Sequence, residues 1–477
     1  MKLMLKKLFS HTLLYALGPQ IPKLANIILL PIITQYLTTT DYGVYGTIMA
    51  YNGLLLGVKT LGFDVLFVNA FFKKSNRWQL YWKRYSGILF LWQQLYTLLY
   101  AFILYLIIPD EAIENKLLLT LLIIVPNYLF SIINALGGRY FQIAQKPQRI
   151  FFTTAITGIS TIIINYYCIV ILKTGYMGWY FSAAAGSFIM FCSYFWPVIG
   201  KLKIYPILSL KKKFIKDALK IALPTVPHNY SSYLLNSSDR LVMDQLNTSI
   251  TNIGKYNMAY IIANYFEIFG TAVGMAVGPY YTKLYSKENP ESENQVRTLT
   301  FFLQTCFILL SFTASLWAKE IFLVLISNQE LSSVYYIAII IIMGYSYRPM
   351  YWASINKLFY LEKTNKLWKV SFIGGALNIS LNLIFIPIYG FEAAAVTTLI
   401  SLLYIGFAGF FLKEYKENNS VNYYPLRWLL LIIISTVVVF LIRDISILYK
   451  LLVTLTLLII FIIYLMKNIK KLKSIEI

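Results

Sequence analysis

The sequence predicts an all-α, polytopic membrane protein of about fourteen transmembrane helices, and three observations carry that reading. Hydrophobic residues make up 58% of the 477-residue chain and charged residues only 13%, about half the charged share of a soluble globule. Runs such as LLLTLLIIVPNYLFSII and LLVTLTLLIIFIIYL approach or fill the roughly 20 apolar residues that cross a bilayer as helix. The third observation is that lysine and arginine alternate in density from one connecting loop to the next.

The first expected span, 8–37, follows basic residues as a signal peptide would, but MKLMLKKLFSHTLLYALGPQ has no small-residue cleavage site and reads as a retained helix. Further spans are expected near 42–70, 84–108, 117–138, 150–172 and 176–199. A second set of six falls near 217–243, 252–282, 297–318, 334–357, 366–387 and 390–412, and a last pair near 424–442 and 446–466. Pro22, Pro31, Pro126, Pro224 and Pro227 lie inside these spans, where neighbours and waters re-satisfy the freed backbone groups. Cys168, Cys192 and Cys306 also fall inside spans, at no metal-ligand spacing, and read as packing residues.

With charges near a span end counted to the adjoining loop, the N-terminus, alternate loops and C-terminus carry 32 of the 42 basic residues, the intervening loops carry 7, and Lys23, Lys59 and Arg348 remain well within spans. Cytoplasmic loops carry the excess of Lys and Arg, so both termini are expected in the cytoplasm. The net charge of +22 then has a topological origin and faces anionic lipid, and no nucleic-acid partner is needed. The expected organisation is an N-lobe at 1–200, a basic cytoplasmic linker at 201–216, a C-lobe at 217–412, a cytoplasmic loop at 413–423, and a final helix pair with its tail at 424–477.

The chain also repeats itself. LTTTDYGVYG (37–46) is echoed by TSITNIGKYNMAY, so that Gly43 and Tyr45 match Gly254 and Tyr256. ALGPQIPK (16–23) is echoed by ALPTVPH (222–228), and Gly175 before the sixth span by Gly390 before the twelfth. Three echoes in order indicate duplication. Six spans are an even number, so both halves enter the membrane in the same sense, as in parallel-repeat transporters. Two such bundles enclose a cleft, and rocking one against the other exposes it alternately to each side. That describes a carrier.

LTTTDYGVYG resembles the Leu-Ser/Thr-x-x-Asp/Glu-Tyr-Gly turn of bacterial polysaccharide-export flippases. IALPTVPHNYSSYLLNSSDRLVMDQLNTSITNIGKYNMAY is similar to that family's succession of a Pro-x-x-Pro helix, Asp-Arg and Gly-x-Tyr. The family belongs to the multidrug/oligosaccharidyl-lipid/polysaccharide exporter superfamily. The resemblance implies a two-lobed, V-shaped fold like that of multidrug and toxic-compound extruders. It also implies movement of undecaprenyl-diphosphate-linked oligosaccharides from the inner to the outer leaflet of the bacterial cytoplasmic membrane, for O-antigen, capsule or related polysaccharides. A polysaccharide polymerase and a chain-length regulator are the partners implied, and the final helix pair is expected to offer the polyprenyl tail a groove.

Charges within spans need a reason, because each costs about 2.5–3.5 kcal/mol near the bilayer centre on insertion scales. Lys23, Arg348 and Glu267 are expected about 20 Å inside their spans, with Lys59 deeper. A diphosphate needs such cations: Arg supplies a planar fork and Lys a point charge. The competing arrangement pairs Arg348 with Glu267 and Lys59 with Asp64, and turns Lys23 to backbone carbonyls. In GYSYRPMYW (344–352), Tyr345, Tyr347, Tyr351 and Trp352 surround Arg348 away from the interfacial aromatic belt, and this stretch is the expected sugar or diphosphate contact. Asp239 and Arg240, like Asp64, read as structural charges near span ends. No cofactor is expected. Moving a diphosphate with two charges out of a negative interior is worth roughly 4–5 kcal/mol per 100 mV, so the membrane potential can drive the step. A proton or sodium gradient would act through Glu267 or His228.

Two relatives in function, a peptidoglycan lipid II flippase and a multidrug extruder, share the same physics. The extra helix pair and the basic excess count against the extruder. A membrane glycosyltransferase or polymerase would need a large outward loop with clustered carboxylates or arginines, and the longest outward link, near 319–333, has neither. No phosphate-cradling Gly-rich loop occurs, so ATP-driven transport by this chain alone is not expected, and the carrier organisation reads as a non-enzyme.

Overall fold

The computed structural model describes residues 20–74, 77–208, 211–361 and 363–473, and their side chains except at 20–25, 228–229, 231–232, 235–236, 364–369 and 469–473. The described residues form helices, 3-10 and π turns and loops, with no strand among them. Ten of the described helices are long and apolar enough to cross a membrane. Internal packing divides the chain into two compact units between Tyr233 and Leu234.

Unit 1 begins with α1 (Gln20–Ile33) and α2 (Thr39–Leu56). The polar turn that the sequence repeats is a helix start: Thr38 Oγ1 accepts from the Asp41 amide at 3.1 Å, and Asp41 Oδ2 accepts from the Thr38 amide at 2.7 Å, a reciprocal cap. Asp41 Oδ1 also accepts from the Tyr176 amide at 2.8 Å. One carboxylate therefore starts a helix and pins a turn 135 residues away. The expected span 42–70 is two helices, because Leu61 and Gly62 take positive φ (47° and 73°) before α3 (Asp64–Lys73). Gly62 is required there: a Cβ would lie 2.3 Å from the Ala222 carbonyl oxygen.

Next come α4 (Trp78–Ile107), α5 (Lys116–Leu129) and α6 (Ser131–Ile143), the last two separated at Phe130. Then α7 (Pro147–Tyr166) and α8 (Met177–Phe195) each run on into one π turn. The expected span 217–243 is likewise divided. Its first part belongs to α9 (Lys212–Ala222), an amphipathic helix. A 3-10 turn at Leu223–Thr225 then leads into α10 (Val226–Gln245). Pro224 and Pro227 each lack an amide donor, which ends regular α pairing there. The core that holds α9 in place contains Phe63, Leu66, Trp82, Val198, Ala218 and Ala222. Trp82 Nε1 donates to the Phe67 carbonyl at 2.9 Å.

Unit 2 takes over partway along α10. It contains α11 (Ile250–Tyr285), α12 (Pro290–Leu316), α13 (Ala318–Leu325), α14 (Tyr335–Gly344), α15 (Arg348–Tyr360), α16 (Thr364–Tyr389) and α17 (Ala393–Ala408). The C-terminal pair is α18 (Pro425–Leu441) and α19 (Ile447–Lys473). The helix α14 is apolar on every side, and Ile337, Ala338, Ile339, Ile341, Ile342 and Met343 are all buried, as expected of a core helix. Four of the fourteen expected spans are not among the ten. The first begins outside the described residues, two are broken as above, and α18 is apolar but has only seventeen residues.

In the final pair, Lys450 near the start of α19 is fully buried and donates to both Glu320 oxygens at 2.8 Å. Trp317 Nε1 donates to Thr454 at 3.0 Å, and Asp444 accepts from Tyr335 at 2.6 Å and Lys319 at 3.0 Å. These bonds hold the pair to the ends of α12–α14. The Tyr335 hydrogen bond, followed by Lys319 and Arg443, keeps the Asp444 carboxyl below the ordinary aspartate range. A depressed carboxylate adds stability above its unfolded pKa of about 3.9 and loses it as pH falls through the folded value. The apparent melting temperatures of wild type and Asp444→Asn are therefore expected to differ by a constant amount above about pH 4 and to converge in more acid buffer. Parallel curves throughout would show that Asp444 is not the group that titrates.

Candidate functional site

The stretch GYSYRPMYW forms a local break. Pro349 has no amide donor and its ring crowds the preceding turn, so Tyr345–Tyr347 tighten into a 3-10 turn before α15 begins at Arg348. On the facing helix α11, Gly270, Gly274 and Gly278 recur every four residues and form a groove. Arg348, Trp352 and Asn356, also four apart, lie along it. A Cβ at Gly270 would sit 2.5 Å from Arg348 Cδ, one at Gly274 2.7 Å from Trp352 Nε1, and one at Gly278 3.5 Å from Asn356 Oδ1. Gly274→Val is expected to overpack the Trp352 ring and cost about 1–3 kcal/mol, read as a lower apparent melting temperature. An unchanged value would mean that Trp352 has room to turn.

Arg348 does pair with Glu267: Nη2 lies 3.1 Å from Oε1, with 11% and 23% of the two side chains exposed. Its Nη1 donates to Thr271 Oγ1 at 3.3 Å, and Tyr345 OH donates to Glu267 Oε2 at 3.4 Å. The guanidinium carbon lies 5.7 Å from the Tyr345 ring centre and 5.8 Å from that of Tyr347, within cation–π range. Arg348 Nε is buried without a partner. Tyr345, Tyr347 and Trp352 are buried and Tyr351 is half-buried. Tyr351 packs edge-on against Tyr347, with ring centres 5.9 Å apart, and Trp352 meets Phe307 edge-on at 5.3 Å. The arrangement is an arginine fork held by one carboxylate and walled by aromatic rings, with donor capacity in reserve.

The Lys59–Asp64 pairing does not form. Lys59 lies in the break between α2 and α3, where Nζ donates to Asn127 Oδ1 at 2.6 Å. Asp64 instead takes Arg139, at 2.6 Å from Nη2 and 3.2 Å from Nε. The break between α5 and α6 lies beside Lys59. Gln93 Nε2 serves the carbonyls released there, donating to Asn127 at 2.5 Å and Tyr128 at 3.1 Å. Trp92 Nε1 donates to the Val58 carbonyl at 3.2 Å. Two interrupted helices thus share one polar junction, and Lys59 is its cation.

Asp239 and Arg240 face different neighbours. Asp239 is fully buried and accepts from Tyr256 OH at 2.5 Å, Asn382 Nδ2 at 2.7 Å and Thr398 Oγ1 at 2.9 Å. Asn382 in turn accepts from Thr397, and Ser238 donates to Asn378 at 3.0 Å. Arg240 donates to Asn257 at 2.8 Å and lies 4.4 Å from the Tyr260 ring centre. A carboxylate enclosed by hydroxyls and amides is a high-stakes polar network, far more developed than a span-end charge. The side chains of Lys23 and His228 lie outside the described residues.

Several of these partners escaped the sequence reading. The Gly-x-x-x-Gly-x-x-x-Gly spacing at 270–278 was a readable signal of close helix approach. The asparagines and threonines around Asp239 carried none, because their meaning depends on which helices meet.

The described helices build a multi-pass membrane fold that is shared with solved structures of known transporters. The structure is similar to lipid II flippase MurJ in an inward closed conformation, with a TM-score of 0.64 and 16% identity over 95% of this chain and 100% of that one. It is also similar to an inward-facing multidrug resistance MATE family transporter (TM-score 0.63, 11% identity, 84% and 96% covered). A third likeness is to a MOP superfamily transporter from Pyrococcus furiosus (TM-score 0.56, 13% identity, 87% and 96% covered). Residues 6–285 match the family of polysaccharide biosynthesis proteins, and the chain belongs to that family. No curated protein sequence matches the chain significantly.

Proposed function

We propose that the protein is a flippase that carries undecaprenyl-diphosphate-linked oligosaccharides from the inner to the outer leaflet of the bacterial cytoplasmic membrane by alternating access, with both termini in the cytoplasm and no bond made or broken in the cargo. Family membership supports the polysaccharide pathway, and the Arg348 fork beside its 3-10 break is the observation that carries the ligand class. An arginine that spends two of its five donors on Glu267 and Thr271 can exchange that carboxylate for a diphosphate oxygen. Tyr351 and the rings beside it then offer apolar faces to the first sugar. Lys59 and Lys23 are proposed as further, point-like cations for the diphosphate. The membrane potential drives the step. Glu267, which gives up Arg348 when the substrate takes the arginine, and His228 are the proposed coupling residues. A polymerase and a chain-length regulator would receive the product.

The test is a deletion strain carrying the chain on a plasmid. Loss of the protein is expected to halt surface polysaccharide and to accumulate the lipid-linked repeat unit in the inner leaflet. Accumulation of peptidoglycan precursor instead would assign it to lipid II, and drug sensitivity with normal polysaccharide would assign it to multidrug extrusion.

A further inference from the structure

The helix α9 carries two parallel ridges of side chains apart from the Arg348 site. Phe214, Ala218 and Ala222 turn toward the core of unit 1, and Ile215 and Leu219 pack against it with part of their surface while remaining half-exposed. On the adjoining face, Lys212, Lys216 and Lys220 form one ridge four residues apart, and Ile215, Leu219 and Leu223 form a second beside it. Both ridges border an open surface groove of about 570 Å³ whose lining is almost wholly apolar apart from the lysines. All three lysines are exposed, and Leu223 retains 45% of its surface.

The segment leading to α9 is anchored and basic. The Ile207 amide donates to the Lys83 carbonyl at 3.0 Å, Lys83 Nζ stands 4.1 Å from the Tyr205 ring centre, and Arg84 stands 5.7 Å from that of Phe214. Lys201, Lys203, Lys211 and Lys213 add to this end of the unit, and Asp217 is the one acidic residue in 201–222. A row of cations parallel to a row of aliphatic side chains matches a molecule with an anionic head and a hydrocarbon tail. A soluble anion would leave the apolar ridge without use, and a zwitterionic lipid would leave the lysines without a counter-charge.

We infer that the Lys212–Lys216–Lys220 ridge and the Ile215–Leu219–Leu223 ridge of α9 form a docking site for an anionic phospholipid of the bilayer. The phosphate lies on the lysines and an acyl chain lies along the aliphatic side chains. Lysines close to an anionic surface contribute additively, and their stems cover apolar surface while the charges reach the headgroup. The inference does not depend on what the carrier moves.

The experiment uses the full chain in nanodiscs and reads motionally restricted spin-labelled phosphatidylglycerol against spin-labelled phosphatidylcholine. The wild type is expected to prefer the anionic label. Lys212→Gln/Lys216→Gln/Lys220→Gln should reduce that preference roughly tenfold or more, and Lys216→Glu alone should move it the same way. Lys363→Gln/Lys413→Gln/Lys416→Gln, an equal change in charge elsewhere, should leave it intact. Leu223→Gln should keep the headgroup preference but weaken the advantage of long-chain over dihexanoyl phosphatidylglycerol. An unchanged preference in the triple variant overturns the proposal. So does displacement of the label by inorganic phosphate, which would make the site one for soluble anions. Displacement by undecaprenyl diphosphate at lower concentration than by phosphatidylglycerol would assign the site to the cargo and overturn it equally.

Discussion

Arg348→Ala is expected to lower export at least roughly thirtyfold, since truncating one member of a buried, hydrogen-bonded charge pair that also serves a ligand costs about 2–5 kcal/mol. Arg348→Lys should retain part of the activity, because the charge survives while the planar fork is lost. The Ala variant alone is ambiguous, because it leaves Glu267 as a half-buried carboxylate without its 3.1 Å partner. Arg348→Ala/Glu267→Ala separates the roles. If the arginine only neutralises Glu267, the double variant should recover export. If it holds the diphosphate, the double variant stays inactive while its thermal stability returns. Glu267→Gln should bind lipid-linked diphosphate more tightly, as the competing carboxylate charge is gone. Full export from the single Ala variant, measured by surface polysaccharide, would place substrate recognition elsewhere.

Lys357→Met should be the most damaging change to folding. Lys357 Nζ lies 2.5 Å from Glu293 Oε1, with 7% and 12% of the two side chains exposed, and 4.8 Å from the Tyr285 ring centre. The other Glu293 oxygen accepts from the Ser420 amide at 2.8 Å and from its hydroxyl. The pair thereby fastens the loop between α17 and α18 to α12 and α15. Breaking a buried pair from one side leaves an uncompensated charge and costs about 3–5 kcal/mol, whereas removing both charges costs far less. The apparent melting temperature in detergent is expected to fall sharply for Lys357→Met and to recover in Lys357→Met/Glu293→Leu. Proteolysis within 413–423 should rise in both variants, because the Ser420 tether is weakened or lost with either change. Resistance equal to the wild type would show that other contacts hold the loop.

Much of the architecture was legible because bilayer physics acts on short windows of sequence. Apolar runs depend on neighbours within a few residues, and so does the cap behind the repeated turn at Thr38–Asp41; the break before Pro349 is as local, but the expected span 334–357 ran through it. The aromatic stretch 344–352 was identified as one cluster for the same reason, and its pairing with Glu267 was one of two stated arrangements. The reading failed where a helix is interrupted or a partner is remote. The left-handed pair Leu61–Gly62 divides an apolar run that looks continuous. Lys59 finds Asn127, and Asp64 finds Arg139, in place of each other.

The sequence by itself determined the solvent, the helical class, the approximate spans, the duplicated turn and the alternation of basic loops, all of them properties of composition and local spacing. Tertiary structure alone decided that Asp239 gathers Tyr256, Asn382 and Thr398 from three other helices. It alone decided that Lys450 is sealed against Glu320, and that three glycines of α11 admit Arg348 and Trp352. A charge placed in a bilayer must be paired or hydrogen-bonded, and the residue type states that requirement. Which group meets it depends on helices brought together across more than a hundred residues of chain, and no local pattern records their meeting.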